Sequence, residues 1–319
     1  MRVLCAACFL LATLTAAQAE AQTQDCALKR IASLDMTALP DGRFTIPVMM
    51  NDSPRAVMPD TGSPIGELNE ALAHELNLTE RKILEAQDVY SDNGDRADHF
   101  ANLPSLKIGP DEARYTQFII GKWTHAPFDG ILGSDILRNF DVDLDFAANK
   151  FNLFSQDHCA GKVVYWAGSY TDTPATIAHD GHIHVIMSLD GHDVDAIIDT
   201  GATWTVLNAT DARQLFGIDA SSPGMESIPD VDGMKAYRYR FKSLSLAGVA
   251  MPSPHIIIIP DGAALASDRS LRANRQETYQ QDTIVRSPPL VLGMDVLRHL
   301  HLYIAYKEQK IYATAADAH

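Results

Sequence analysis

Asp60 and Asp199 stand in the same local setting. Asp60 ends the run Ala56-Val57-Met58-Pro59 and is followed by Thr61-Gly62-Ser63, while Asp199 ends Ala196-Ile197-Ile198 and is followed by Thr200-Gly201-Ala202. One Asp-Thr-Gly is a weak signal, because three common residues meet by chance. Two of them, each inside the same longer pattern, are a strong one. Two carboxylates held a few ångströms apart cannot both ionise cheaply, so such a pair keeps one proton between its members and titrates as a unit. The ionised member accepts a proton from a trapped water, and the protonated member donates to a carbonyl oxygen. This is general acid–base catalysis of water attack on an amide, and it calls for no metal, cofactor or covalent intermediate.

The elements that would position the two carboxylates are duplicated along the chain. With Asp60 placed on Asp199, Asp41-Gly42 falls on Asp180-Gly181, the strand from Phe44 to Met49 on that from Ile183 to Ser188, and Leu68-Asn69 on Leu207-Asn208. Further on, Ile131-Leu132-Gly133-Ser134-Asp135 matches Val291-Leu292-Gly293-Met294-Asp295, and Asn149-Lys150-Phe151 matches Gln309-Lys310-Ile311. So many features in one order predict tandem duplication, with one carboxylate brought by each copy to a shared cleft.

Within each copy the turn signals set the strands. The first predicts a hairpin turning at Asn51-Asp52-Ser53-Pro54, a short helix over 69–78, a second hairpin tipped by Asn93-Gly94, strands over 103–108 and 114–120, a helix over 133–140 and a closing hairpin over 141–154. The second predicts strands over 185–189 and 194–198 joined at Asp190-Gly191, a helix over 209–215, a hairpin tipped by Asp232-Gly233 and a buried strand over 256–259. Gly62 and Gly201 are expected to allow sharp backbone angles and close approach of the two turns. Thr61 and Thr200 are expected to cross-link them. Gly133 and Gly293 are expected to leave room for the crossing Asp strands. The segment 261–289 exceeds its counterpart in the first copy and carries Arg269, Arg272 and Arg275, either over the cleft or as a surface insertion.

The 319 residues have a formal net charge of −15 without a basic cluster, which argues against a nucleic-acid partner. Arg2, the apolar run over 3–15 and Ala17-Gln18-Ala19 read as a secretory signal over 1–19, with export and no stable membrane insertion after its removal. Beyond it only Cys26 and Cys159 remain, and an exported chain with one cysteine pair favours a disulfide between them.

These motifs resemble the aspartic peptidase superfamily, nearest to the retropepsin-like bacterial aspartyl proteases with both lobes fused in one chain. The resemblance rests on the two Asp-Thr-Gly triplets and the apolar-apolar-Gly segments at 131–133 and 291–293, and it covers most of the mature chain. It implies a mainly β fold of two closed, barrel-like lobes with short helices, over 20–158 and 159–319, and an extended polypeptide substrate held between them. It also implies flap hairpins, for which Tyr90, Asn93, Gly94, Asp232 and Gly233 are the candidates. A periplasmic location is expected from the same resemblance, secretion being equally permitted by the residues, and one chain with both carboxylates is expected to work as a monomer. Two positions depart from the retropepsin pattern. Ser63 replaces the Ala found as Ala202 in the second copy and is expected to hydrogen-bond the Asp60 carboxylate. Pro59 precedes Asp60 and is expected to distort the first turn.

Other clusters have plainer readings. Asp141, Asp143 and Asp145 alternate on a strand, as a solvated face or, less naturally, a calcium site. His182, His184, His299 and His301 read as surface histidines rather than metal ligands. The strand 237–240 reads as an exposed flap strand. The leading expectation is an aspartic endopeptidase acting through Asp60 and Asp199. The alternatives are a catalytically silent peptide-binding or scaffolding protein of the same fold and a histidine-dependent metallohydrolase.

Overall fold

The computed structural model describes residues 26–84, 96–123, 126–231, 234–260 and 290–316. Hairpins open both halves for one local reason. Asn51 (φ 48°) and Asp52 (φ 62°) join Phe44–Met50 to Ser53–Pro59, and Asp190 (φ 47°) and Gly191 (φ 83°) join Ile183–Leu189 to His192–Ile198. Two consecutive left-handed residues make the tight turn whose twist matches antiparallel strands. Ser53 and Pro54, expected in the first turn, instead begin the returning strand.

In the first half six strands close on themselves. The ring runs Phe44–Met50, Ser53–Pro59, Gly130–Leu132, Glu67–Asn69, Asp111–Gly121 and His99–Ile108, and returns to its start through Met50 opposite Leu106. Alternation along Phe44–Met50 points Ile46, Val48 and Met50 inward, where they meet buried Val57, Leu68, Leu103, Leu106 and Phe118. The second half repeats the order with Ile183–Leu189, His192–Ile198, Leu290–Leu292, Val206–Asn208, His255–Ile259 and Met234–Arg240. The small helices follow caps. Asn69 and Asn208 accept from backbone N–H groups ahead of Glu70–Glu75 and Ala209–Phe216. The first helix ends short of the expected 78 because Asn77 turns left-handed (φ 53°). That over 133–140 shrinks to Ser134–Leu137.

The two halves share an antiparallel sheet of Arg30–Asp35, Lys150–Phe154, Asp141–Asp145, Leu300–Ala305, Lys310–Ala315 and Thr171–Ile177. Asp143 lies opposite Tyr303, and Leu144 opposite Leu302, so the halves are sewn together by main-chain bonds. A disulfide between Cys26 and Cys159 pins the chain before the first strand to the connection between halves.

The polar face of this sheet corrects the solvated-strand reading. Asp141 and Asp143 are fully buried, and His301 nearly so. Asp141 lies 2.6 Å from His158 Nε2 and accepts the Tyr306 N–H at 3.0 Å. Asp143 lies 2.7 Å from His301 Nε2 and accepts from Asn152 and the Tyr165 hydroxyl. The connection after Cys159 folds over this face, with Trp166 stacked on His301 at 4.0 Å, so charges that look solvated in sequence are covered by a distant segment. His182 is also buried, whereas His299 is exposed and His184 half-buried. Among the described residues no group of three or more His, Cys, Asp or Glu side chains converges as a metal site. No helix there is long and apolar enough to cross a membrane.

Candidate active site

Asp60 and Asp199 emerge from equivalent strand ends. The Asp60 N–H donates to Leu132 O and the Asp199 N–H to Leu292 O, both at 3.0 Å. Each carboxylate is then oriented by its own turn. Asp60 Oδ1 accepts from the Gly62 and Ser63 N–H groups at 2.8 and 3.1 Å; Asp199 Oδ1 accepts from Gly201 and Ala202 at 2.8 and 3.0 Å. Both carboxylates are essentially inaccessible.

The turns are cross-linked by the two threonines. The Thr61 N–H donates to Thr200 Oγ1 and the Thr200 N–H to Thr61 Oγ1, each at 3.1 Å. Each hydroxyl passes its own proton to the strand of the other half: Thr61 to Ile198 O at 2.7 Å and Thr200 to Pro59 O at 2.8 Å. Each glycine faces the opposite carboxylate. A Cβ on Gly62 would stand 2.3 Å from Asp199 Cγ, and one on Gly201 2.2 Å from Asp60 Oδ2. Neither glycine has a positive φ, so space rather than the expected special backbone angle requires them. The arrangement sets each carboxylate against the other's turn.

Neither departure distorts the first turn. Pro59 lies beyond the last antiparallel pair of its hairpin, Ile46 opposite Val57, and the Asp60 bond to Leu132 matches that of Asp199 to Leu292. The Ser63 hydroxyl donates to Ile65 O at 2.9 Å, so only its backbone N–H serves Asp60.

The apolar-apolar-Gly segments act differently from expectation. Their strands run parallel to the Asp strands. Gly133 and Gly293 instead clear the chain just past each turn: a Cβ there would meet the Ile65 and Trp204 carbonyl carbons at 2.5 Å. The helices that follow grip the turns by their first N–H groups, Ser134 to Ser63 O at 2.7 Å and Met294 to Ala202 O at 2.8 Å. Asp135 accepts the Gly66 N–H at 2.9 Å, and Asp295 accepts the Thr205 N–H at 2.8 Å and its hydroxyl at 2.7 Å.

Burial pushes the Asp135 carboxyl up to about 6 despite its backbone donors. A folded value above the unfolded one makes stability fall as pH rises from about 4 through about 6, by about 3 kcal/mol. Chemical denaturation across that range is expected to show this fall in wild type and to lose it in Asp135→Asn.

Two residues at the site were not recognised from the sequence: Arg43 was not singled out and His182 read as a surface histidine. Arg43 donates through Nη1 to Gly201 O at 3.3 Å, and His182 Nε2 lies 2.8 Å from Gly62 O. Each stands 17 residues before its own Asp and two after an aspartate of the repeat, a signal hidden because Arg and His do not look alike. The strands Glu226–Val231 and Met234–Arg240 pair antiparallel, with Val231 opposite Met234. Tyr237 and Tyr239 on the second of these pack against the core rather than lying exposed. Tyr90, Asn93, Gly94, Asp232 and Gly233 lie outside the described residues, as do 1–19 and 261–289.

Two segments, 46–136 and 185–296, match a family model described as Aspartyl protease. Each contains one Asp-Thr-Gly and one apolar-apolar-Gly. The crystal structure of an aspartic proteinase from Irpex lacteus superposes with a TM-score of 0.51 at 12% identity, over 90% of this chain and 97% of that one. That likeness is one of fold. No curated protein matches the chain.

Proposed function

The chain belongs to the aspartyl protease family, and from that premise we propose that it is an exported endopeptidase acting through Asp60 and Asp199. The observation that carries the reading is reciprocal packing: each carboxylate is aimed by its own turn and lies against the other turn's glycine. A water held by both carboxyls gives its proton to the ionised member as it attacks a peptide carbonyl. The protonated member gives its proton to the carbonyl oxygen; the intermediate then collapses as the first member passes the water's proton to the nitrogen and the second takes a proton back from a hydroxyl, which releases the amine and the new acid and restores one proton to the pair. The turns barely reorganise during these steps, because main-chain donors and the threonine cross-link already fix them.

An extended polypeptide is the substrate, bound between the halves by main-chain hydrogen bonds with side-chain pockets setting preference. Lobes over 20–158 and 159–319 supply one carboxylate each, so a monomer suffices. The leader over 1–19 directs export, most simply to a periplasm, and the Cys26–Cys159 disulfide suits an oxidising compartment.

The test incubates the full chain with an unfolded protein from acidic to neutral pH, with and without a strong chelator, and sequences the fragments by mass spectrometry. Internal cuts that persist in chelator are expected. Binding of the unfolded protein without cleavage would move the reading to a silent peptide-binding protein, and cleavage abolished by chelator would move it to a metallohydrolase.

A further inference from the structure

The two residues missed in sequence form a matched pair of tethers between the halves. In the first, Asp41 holds Arg43 through Nε at 2.9 Å and through the Arg43 N–H at 3.1 Å, and Arg43 reaches over to Gly201 O. In the second, Asp180 Oδ1 lies 2.9 Å from His182 Nδ1 and accepts the His182 N–H at 3.2 Å, while Nε2 meets Gly62 O. Each half thus anchors a basic side chain on its own aspartate and passes it to the carbonyl of the other half's Asp-Thr-Gly. Those carbonyls belong to the glycines that face the carboxylates.

The two tethers differ in one respect. Arginine is charged at every accessible pH, whereas histidine is not. Nε2 needs a proton to meet the Gly62 carbonyl, while Nδ1 makes no hydrogen bond but stands 2.9 Å from an Asp180 carboxylate oxygen, where a bare lone pair is repelled and a second ring proton is drawn on by the ion pair. Neutral imidazole has one N–H and would leave one buried acceptor opposed by a lone pair. Burial works against the charge, but Asp180, Asp199 and the Gly62 carbonyl together hold the imidazolium above its ordinary range. From the first half, the neighbours are the turn carrying Asp60 and the uncharged Ser134, whose Cβ lies against Gly181. His184 acts on the same Asp180.

We propose that His182 is a positioning residue whose doubly protonated ring ties the Asp60 turn to the second half, and that loss of one proton loosens this turn while the Arg43 tether on the Asp199 turn persists. The pair is therefore asymmetric with respect to pH: alkaline conditions slacken one side of the cleft. The linkage has a definite sign. A folded value raised above the unfolded one gives stabilisation that is complete below about pH 6.5 and lost as pH rises through the folded value.

The kinetic arm of the test rests on the peptidase reading, so a second arm is independent of activity. Kinetically, kcat/KM of the full chain is measured against pH for wild type and His182→Arg, which copies the first half's tether. On the alkaline side wild type is expected to fall more steeply than the first power of proton concentration, since His182 loses a proton as well as the carboxyl pair. His182→Arg is expected to fall with the first power only. Independently, 15N NMR of the wild-type imidazoles is expected to show both His182 nitrogens protonated at pH 6, with the Gly62 and Ser63 amides shifting as the ring titrates. Superimposable kinetic limbs, or a singly protonated His182 ring at pH 6, would overturn the proposal. An absence of cleavage at every pH counts against the peptidase reading instead, and the NMR result then decides the tether alone.

Discussion

Asp60→Asn and Asp199→Asn each lower kcat/KM by at least about 10⁴-fold, the scale seen when one member of a catalytic unit is removed. The loss is expected without unfolding, for a reason visible in the turns. The main-chain donors aimed at each carboxylate come from Gly62 and Ser63, or from Gly201 and Ala202, and converge on Oδ1. An asparagine oxygen at that position accepts the same two bonds, so the turn keeps its shape. Asparagine cannot exchange protons with water or with a carbonyl oxygen. Circular dichroism and the denaturation midpoint are therefore expected to stay near wild type while turnover disappears. Partial activity in either variant would mean that one carboxylate suffices.

Gly62→Ala and Gly201→Ala give the second large effect, and it crosses between the halves. The new methyl of Gly62→Ala would overlap the carboxylate of Asp199, and that of Gly201→Ala the carboxylate of Asp60, at 2.2–2.5 Å. The carboxylate cannot step aside freely, because two main-chain donors hold its Oδ1. Something must shift by about an ångström, and a misplacement of that size at a reacting centre costs about 10²-fold or more. Overpacking of a buried site adds about 1–3 kcal/mol of destabilisation. Both variants are expected to lose at least about 10²-fold in kcat and to melt earlier. The first should displace Asp199 and the second Asp60, which crystal structures of the two variants would show.

The duplicated framework was legible because its signals are local. Paired left-handed turns, Asp-Thr-Gly after an apolar run and apolar-apolar-Gly each sit within a few residues, so repeat alignment finds them. The Cys26–Cys159 bond followed from the cysteine count and the expectation of export. What escaped depends on chain segments far apart in sequence. Asp141, Asp143 and His301 read as surface charges until the segment around Trp166 covers them. Arg43 carries no mark in the sequence and His182 read as a surface histidine, until each is seen reaching the opposite turn. Pro59 looked disruptive because proline removes a donor, yet its place beyond the hairpin's last pair means no bond was there to lose. Glycine at 62 and 201 was expected for backbone freedom and for close approach, and only the second is what requires it.

The most direct test of the central claim, that two halves build one catalytic unit, is a double-mutant cycle on kcat/KM. Wild type, Asp60→Asn, Asp199→Asn and the double variant would be compared on one peptide, each verified as folded. A single unit predicts that either substitution removes nearly all of the acceleration and that the double variant is scarcely slower than either single one. Losses that multiply in the double variant, or a single variant that keeps most of the activity, would contradict it.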